Sequence, residues 1–245
     1  MEKDDWKIEL IRLTIFVDDE LHSKNLEDWL TKISGQDPIQ INKTGTTFLG
    51  ISKLDSSFLK LQWKKNRIDL ILNANILEVE NNIGEFSMFD KYCNEYILKY
   101  FDMEECPLSN RIALGVILYV PIKDNVEGMK RLKRYLKSVN IIDEAGDFLY
   151  RINIPLKSNA ENEIDINRLV TWNVGLIQIL QMDINPSLAI YNPTEEASSI
   201  VCRVEMDLST TQNTTVKMNT VQQKKIATKL IDIANGIAES GENSF

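Results

Sequence analysis

Histidine is almost missing from this sequence: its 245 residues contain one, His22. Serine and cysteine nucleophiles need an imidazole base, and His-rich metal sites need imidazole ligands, so both designs fall unless His22 itself serves. It lies in an acidic loop, where a surface histidine is the ordinary reading. Cysteine is scarce too. Cys93, Cys106 and Cys202 are odd in number and form no CxxC, which argues against a disulfide framework and a structural zinc site. Cys93 and Cys202 fall on apolar faces, where a thiol packs as a small hydrophobe. The ten glycines are spread thinly, with neither GxxxxGK[ST] nor GxGxxG, so the common phosphate-cradling loops are missing. No run approaches the roughly 18 unbroken apolar residues of a membrane-spanning helix. Residues Met1 to Trp6 are acidic, and the apolar run behind them is interrupted by Glu9 and Arg12, unlike a secretion signal. The cytoplasm is the expected compartment, and no cofactor is expected.

The chain does have an ordinary globular composition, 43% hydrophobic and 26% charged, with a formal net charge of −8. An acidic balance repels phosphate backbones and disfavours a dedicated nucleic-acid binder. The densest basic strip is Lys130, Arg131, Lys133, Arg134 and Lys137, whose helical spacing reads as a solvated helix face.

Periodicity supplies the organisation. Ile11, Leu13, Ile15 and Val17 share one face of a strand over residues 8–17. Leu26, Trp29, Leu30 and Ile33 recur at helical spacing and stop at Gly35. Three strands follow over 46–54, 58–63 and 67–72, the last two joined by a short hairpin link at Lys64-Lys65-Asn66. Phe86, Phe89, Tyr92, Cys93, Tyr96, Ile97, Tyr100 and Phe101 then form one continuous helical stripe. After Pro107 the order starts again. An apolar strand spans 111–122. A helix follows with Asp124 as N-cap and Glu127 three residues on, the spacing of a capping box. Strands are expected over 148–154, from 164 towards 180, and over 200–208. A last helix covers 220–238, and the polar tail 239–245 is expected to fray. The predicted class is α+β: two pseudo-repeated strand–helix–three strands–helix halves, 1–106 and 107–245, in one unit, with a largely antiparallel sheet and helices on one face.

Few groups remain to carry chemistry, and no catalytic residue is assigned. Asp18, Asp19 and Glu20 follow the first strand, where a divalent-metal site can be built, although acidic residues also crowd turns for solvation and capping. Asp143, Glu144 and Asp147 form a similar cluster. Arg151 and Asn153 lie on one strand, with Asn167 and Arg168 on the next. If these strands pair, a polar ligand- or partner-binding patch near Trp172 results, its plain alternative being a cross-strand ladder.

The runs Leu61-Gln-Trp-Lys-Lys-Asn-Arg-Ile-Asp-Leu70, Arg111-Ile-Ala-Leu-Gly115 and Ile166-Asn-Arg-Leu-Val-Thr-Trp172 resemble a sporadically distributed bacterial family of about this length. That resemblance implies no activity and transfers no site residue. It implies association with accessory cassettes such as phage-defence or toxin-related genes. The leading expectation is a non-catalytic binding or assembly protein acting with itself or an operon-encoded partner. The alternatives are a divalent-metal hydrolase or nuclease at Asp18, Asp19 and Glu20, and a small-ligand sensor with a cleft between the halves.

Overall fold

Strand alternation decides this architecture, because almost every strand buries every second residue and leaves the others on the opposite side. The computed structural model describes residues 5–18, 24–74, 82–157, 164–184, 191–211 and 217–245, with the backbone alone for 177–184 and 191–198. The strands are β1 (Lys7–Val17), β2 (Gln40–Lys43), β3 (Phe48–Lys53), β4 (Ser57–Lys64), β5 (Arg67–Ala74), β6 (Gly84–Glu85), β7 (Ser109–Pro121), β8 (Phe148–Asn153), β9 (Ile166–Ile184) and β10 (Tyr191–Thr210). They form one ten-stranded sheet in the order β2-β3-β4-β5-β1-β7-β10-β9-β8, with β6 against the start of β1. Every pairing is antiparallel. The class is α+β, as the periodicities predict.

The helices are α1 (Lys24–Ser34), a composite helical segment α2 (residues 86–102), α3 (Asn125–Tyr135) and α4 (Thr220–Ser240). α1 buries Leu26, Trp29, Leu30 and Ile33 against β3 and β4, and ends at Gly35, whose φ of +76° suits glycine. Gly50 of β3 lets it approach: a Cβ there would stand 2.6 Å from Leu30 Cδ2. α3 begins at Asp124, whose side chain accepts from Glu127 N at 2.9 Å, while the Glu127 carboxylate reaches back to Lys123 N at 3.0 Å. That backbone bond, then Arg131, holds the Glu127 carboxyl below its usual range. α4 opens with a full capping box between Asn219 and Gln222. Its buried Gln223 donates to the carbonyls of Pro107 and Met218, tying the helix to the start of β7.

One face of the sheet therefore lies under helices. Ile11, Leu13 and Ile15 of β1, Leu114, Val116 and Leu118 of β7, and Val204 and Leu208 of β10 are buried in a single cluster with the helix stripes. Part of it is aromatic. Trp172 stacks on Tyr135 with ring centroids 5.2 Å apart, and Trp6 donates through Nε1 to the Tyr135 hydroxyl at 3.0 Å. Among the described residues, no helix is long and apolar enough to cross a membrane.

Three expectations are corrected. The aromatic stripe of 86–101 is present, but α2 is not one regular helix: a 3-10 turn (Phe86–Met88), an α turn (Phe89–Tyr92), a π turn (Cys93–Ile97) and a second 3-10 turn (Leu98–Asp102) succeed each other. Spacings of three between Phe86, Phe89 and Tyr92, followed by spacings of four, are met by changing the winding while the aromatic face stays on the core. β2 is an additional strand. The tail is not frayed: a 3-10 turn (Gly241–Ser244) folds back, and the Glu242 carboxylate takes hydrogen bonds from the Ser138 backbone N–H and hydroxyl. Gly241 allows this turn with φ +58°, ψ −132°, a conformation closed to most L-residues.

Replacing Trp172 by Ala removes the fully buried ring and is expected to cost about 3–5 kcal/mol, read as a fall in the urea midpoint. Gly241→Ala is expected to lower Tm by several degrees, because its Cβ would stand 2.3 Å from the Tyr135 carbonyl oxygen and the backbone strain alone is worth about 1–3 kcal/mol.

Candidate functional site

The face of the sheet opposite the helices has no covering layer among the described residues. Its composition follows from register. On β1 the outward residues are Leu10, Arg12, Thr14 and Phe16, with Glu9 at a bulge. Thr14 lies beside Asp69 of β5 and Ala113 of β7, and Phe16 lies beside Arg67 and Arg111. β4 contributes Lys60, Gln62 and Lys64, and β3 contributes Lys53.

A polar network anchors the middle of this face. The Thr14 hydroxyl donates to Asp69 Oδ1 at 2.6 Å, Arg67 Nη2 donates to the same oxygen at 2.8 Å, and Arg67 Nε stands 2.7 Å from Oδ2. Asp69 is only 4% exposed although it sits on the helix-free side; its neighbours cover it. The guanidinium groups of Arg67 and Arg111 lie over the Phe16 ring at 5.7 and 4.9 Å from its centroid. Arg111 Nη2 also donates to the Ser209 hydroxyl at 3.1 Å. Arg12 lies over Gly115, where a Cβ would be 3.3 Å from Nη2, tight enough that the guanidinium would have to shift by a few tenths of an ångström.

The two ends of the face differ in charge. From β3 through β7 its outward side chains include Lys53, Lys60, Lys64, Arg67, Arg12 and Arg111; of the carboxylates on the same strands, Asp69 is paired with Arg67 and Glu9, at the bulge of β1, with Arg203. On β10 the charge turns acidic: Arg203 is held by Glu9, with Nε 2.9 Å from Oε2, and by Glu205, and the exposed Asp207 lies opposite Gly115. A basic half-face thus lies on a chain whose net charge is −8, so it focuses positive potential that the whole-chain charge hides.

The expected site residues are distributed as follows. β8 and β9 do pair, with Arg151 opposite Thr171 and Tyr150 opposite Trp172. Arg151, Asn153 and Asn167 lie on the open face, at its far edge from the basic half. Arg168 and Trp172 lie on the helix-covered side, because neighbours along a strand point in opposite directions. Arg168 is 5% exposed; it donates to the Ile154 carbonyl at 2.8 Å and the Ser244 carbonyl at 3.3 Å and lies over the Phe245 ring. Burial pulls its pKa below the usual arginine value. The five residues therefore share no single surface. Asp18 accepts from Asn110 Nδ2 at 2.7 Å, with Lys217 Nζ at 3.7 Å; Asp19, Glu20 and His22 lie outside the described residues. Among the described residues no three His, Cys, Asp or Glu side chains are grouped to hold a metal ion. Asp143 is paired instead with Lys133 at 2.8 Å.

The thiols are packed. Burial pushes Cys93 well above its ordinary value, and it pushes Cys106 to about 11 against the opposing pull of a backbone hydrogen bond from Met103. Cys106 Sγ donates to the Tyr100 carbonyl at 3.1 Å. The basic face escaped the reading of the sequence because its members are single residues at alternate positions of separate strands. The outward lysines of β4 are visible in sequence, but strand order is what sets them beside Arg67, Arg12 and Arg111. Comparison of the chain with protein-family models, with curated proteins and with solved structures found no match, so the face is interpreted from its geometry.

Asp69→Ala is expected to destabilise the fold by about 2 kcal/mol, since Thr14 and Arg67 lose a charged acceptor; Thr14→Val is expected to cost about 1 kcal/mol or less, both read from urea midpoints. At pH 7.4 a thiol reagent such as Ellman's is expected to label Cys93 and Cys106 slowly in the native protein and promptly after denaturation.

Proposed function

We propose that this chain is a non-catalytic binding and assembly protein, acting with itself or with a protein encoded beside it, and that the open sheet face is the surface it uses. The carrying observation is the basic half-face on β3, β4, β5, β1 and β7 of an acidic chain. It combines arginines with Phe16 and with the aliphatic side chains of Leu49, Ile51 and Ile71, a mixture suited to protein interfaces. Its five strands, about 4.8 Å apart, make it about 20 Å across.

The same reading treats the scaffold as two pseudo-repeated halves, 1–106 and 107–245. Strand order supports this. Leaving aside the two-residue β6, in each half the last strand, β5 or β10, lies beside the first, β1 or β7, and the preceding strands, β4 then β3 or β9 then β8, follow outward. A doubled scaffold of this kind presents a broad sheet face, which suits a docking role.

The test combines light scattering across a concentration series with co-purification alongside the product of the neighbouring gene. Self-association or stable capture of the neighbour is expected, with at least a tenfold loss of affinity on moving from about 0.1 to 1 M salt, where the screening length falls to about 3 Å. A strict monomer that captures no neighbour overturns the proposal. So does tight binding of a labelled single-stranded oligonucleotide at physiological salt.

A further inference from the structure

β9 and β10 are much longer than the sheet needs. β7 pairs with β10 from Val201 to Ser209, and β8 pairs with β9 from Leu169 to Val174. Beyond those points Ile177–Ile184 and Tyr191–Ser199 pair with each other and, among the described residues, with no third strand. At about 3.3 Å per residue this is a two-stranded ribbon extending about 26 Å beyond the sheet. An isolated two-stranded ribbon is marginal in water.

Its sequence is unusual for a solvated arm. Its β9 strand holds Ile177, Ile179, Leu180, Met182 and Ile184 within eight residues. Between Arg168 and Arg203 the chain has no lysine, arginine or histidine, yet it has Asp183, Glu195 and Glu196. One strand of the ribbon is thus largely apolar in composition and the other largely polar, and its charges are purely anionic, whereas the half-face from β3 to β7 is cationic. The chain carries both members of a complementary pair.

We infer that the ribbon of a second copy of this chain lies across the basic half-face, each copy reaching over the other in a two-fold arm exchange. The inference rests on the proposed assembly role and specifies its partner. A two-fold arrangement makes both contacts at once and closes on itself, so it stops at two copies. A ribbon about 26 Å long and two strands, about 10 Å, wide has a footprint of about 260 Å². Two arms, each counted on both partners, bury about 1,000 Å², the lower bound for a specific interface. The dimer is therefore weak and charge-dependent.

Sedimentation of the full chain tests this, with two variants. One reverses the face, Lys53→Glu/Lys60→Glu/Lys64→Glu; the other reverses the ribbon, Asp183→Lys/Glu195→Lys/Glu196→Lys. The native chain is expected to dimerise at micromolar concentration in low salt, and each variant alone at least tenfold more weakly. An equimolar mixture is expected to recover the native affinity, because the heterodimer restores both contacts; this recovery also shows that the variants are folded. The inference is overturned if native chain and both variants dimerise equally, which leaves assembly through another surface standing. It is overturned if the native chain is a monomer that still captures its neighbour, or if the mixture fails to recover affinity. A monomer that captures nothing overturns the assembly role as well.

Discussion

The ladder between β1 and β7 is the constraint from which the rest is arranged. It runs from Lys7 opposite Tyr119 to Val17 opposite Ser109, with a bulge at Glu9. It places strands from either side of the Pro107 break in one sheet. It also aligns the apolar residues of both strands on the same side, so Ile11, Leu13 and Ile15 meet Val116, Leu114 and Ile112 on one buried surface. Every helix then has one place to bury its stripe. A one-residue slip in this register would send the apolar residues outward and the arginines inward.

The same alternation determines what the other side contains. Residues such as Thr14 and Asp69 are buried there without a covering layer, because long side chains lie flat over them. Arg67 shields Asp69 while flanking Phe16, and Arg12 lies along the gap left by Gly115. The arginine stems act as cover while their charged ends remain at the surface. The face is thus at once a lid over buried polar groups and a concentration of positive charge. These two properties come from the same atoms.

Much of the scaffold was legible because its signals are local. α1, the β4–β5 hairpin, β7 and the cap of α3 each announce themselves within a dozen residues by period and end signals, and they lie close to where those signals place them. β2 has no alternation to read, since of its four residues only Ile41 is even partly covered. The winding of α2 depends on packing that periodicity does not report. Arg151 and Asn153 pair with the strand holding Arg168 and Trp172, as expected, but the pleat sends the two sets to opposite faces. The basic half-face was invisible for a different reason: its members are separated by up to about a hundred residues, and strand order alone assembles them.

That central ladder has a consequence for synthesis on the ribosome. β1 can acquire β5 as a neighbour once residue 74 has emerged, but its other edge stays open until Ser109–Pro121 is made, and β7 in turn waits for β10. Contacts so distant along the chain form slowly, and an unpaired apolar strand edge is prone to wrong partners in the interval. The nascent chain thus passes through a window in which its most hydrophobic strands are half-satisfied, and the pace of translation through 75–210 bears directly on how much of it reaches the native sheet.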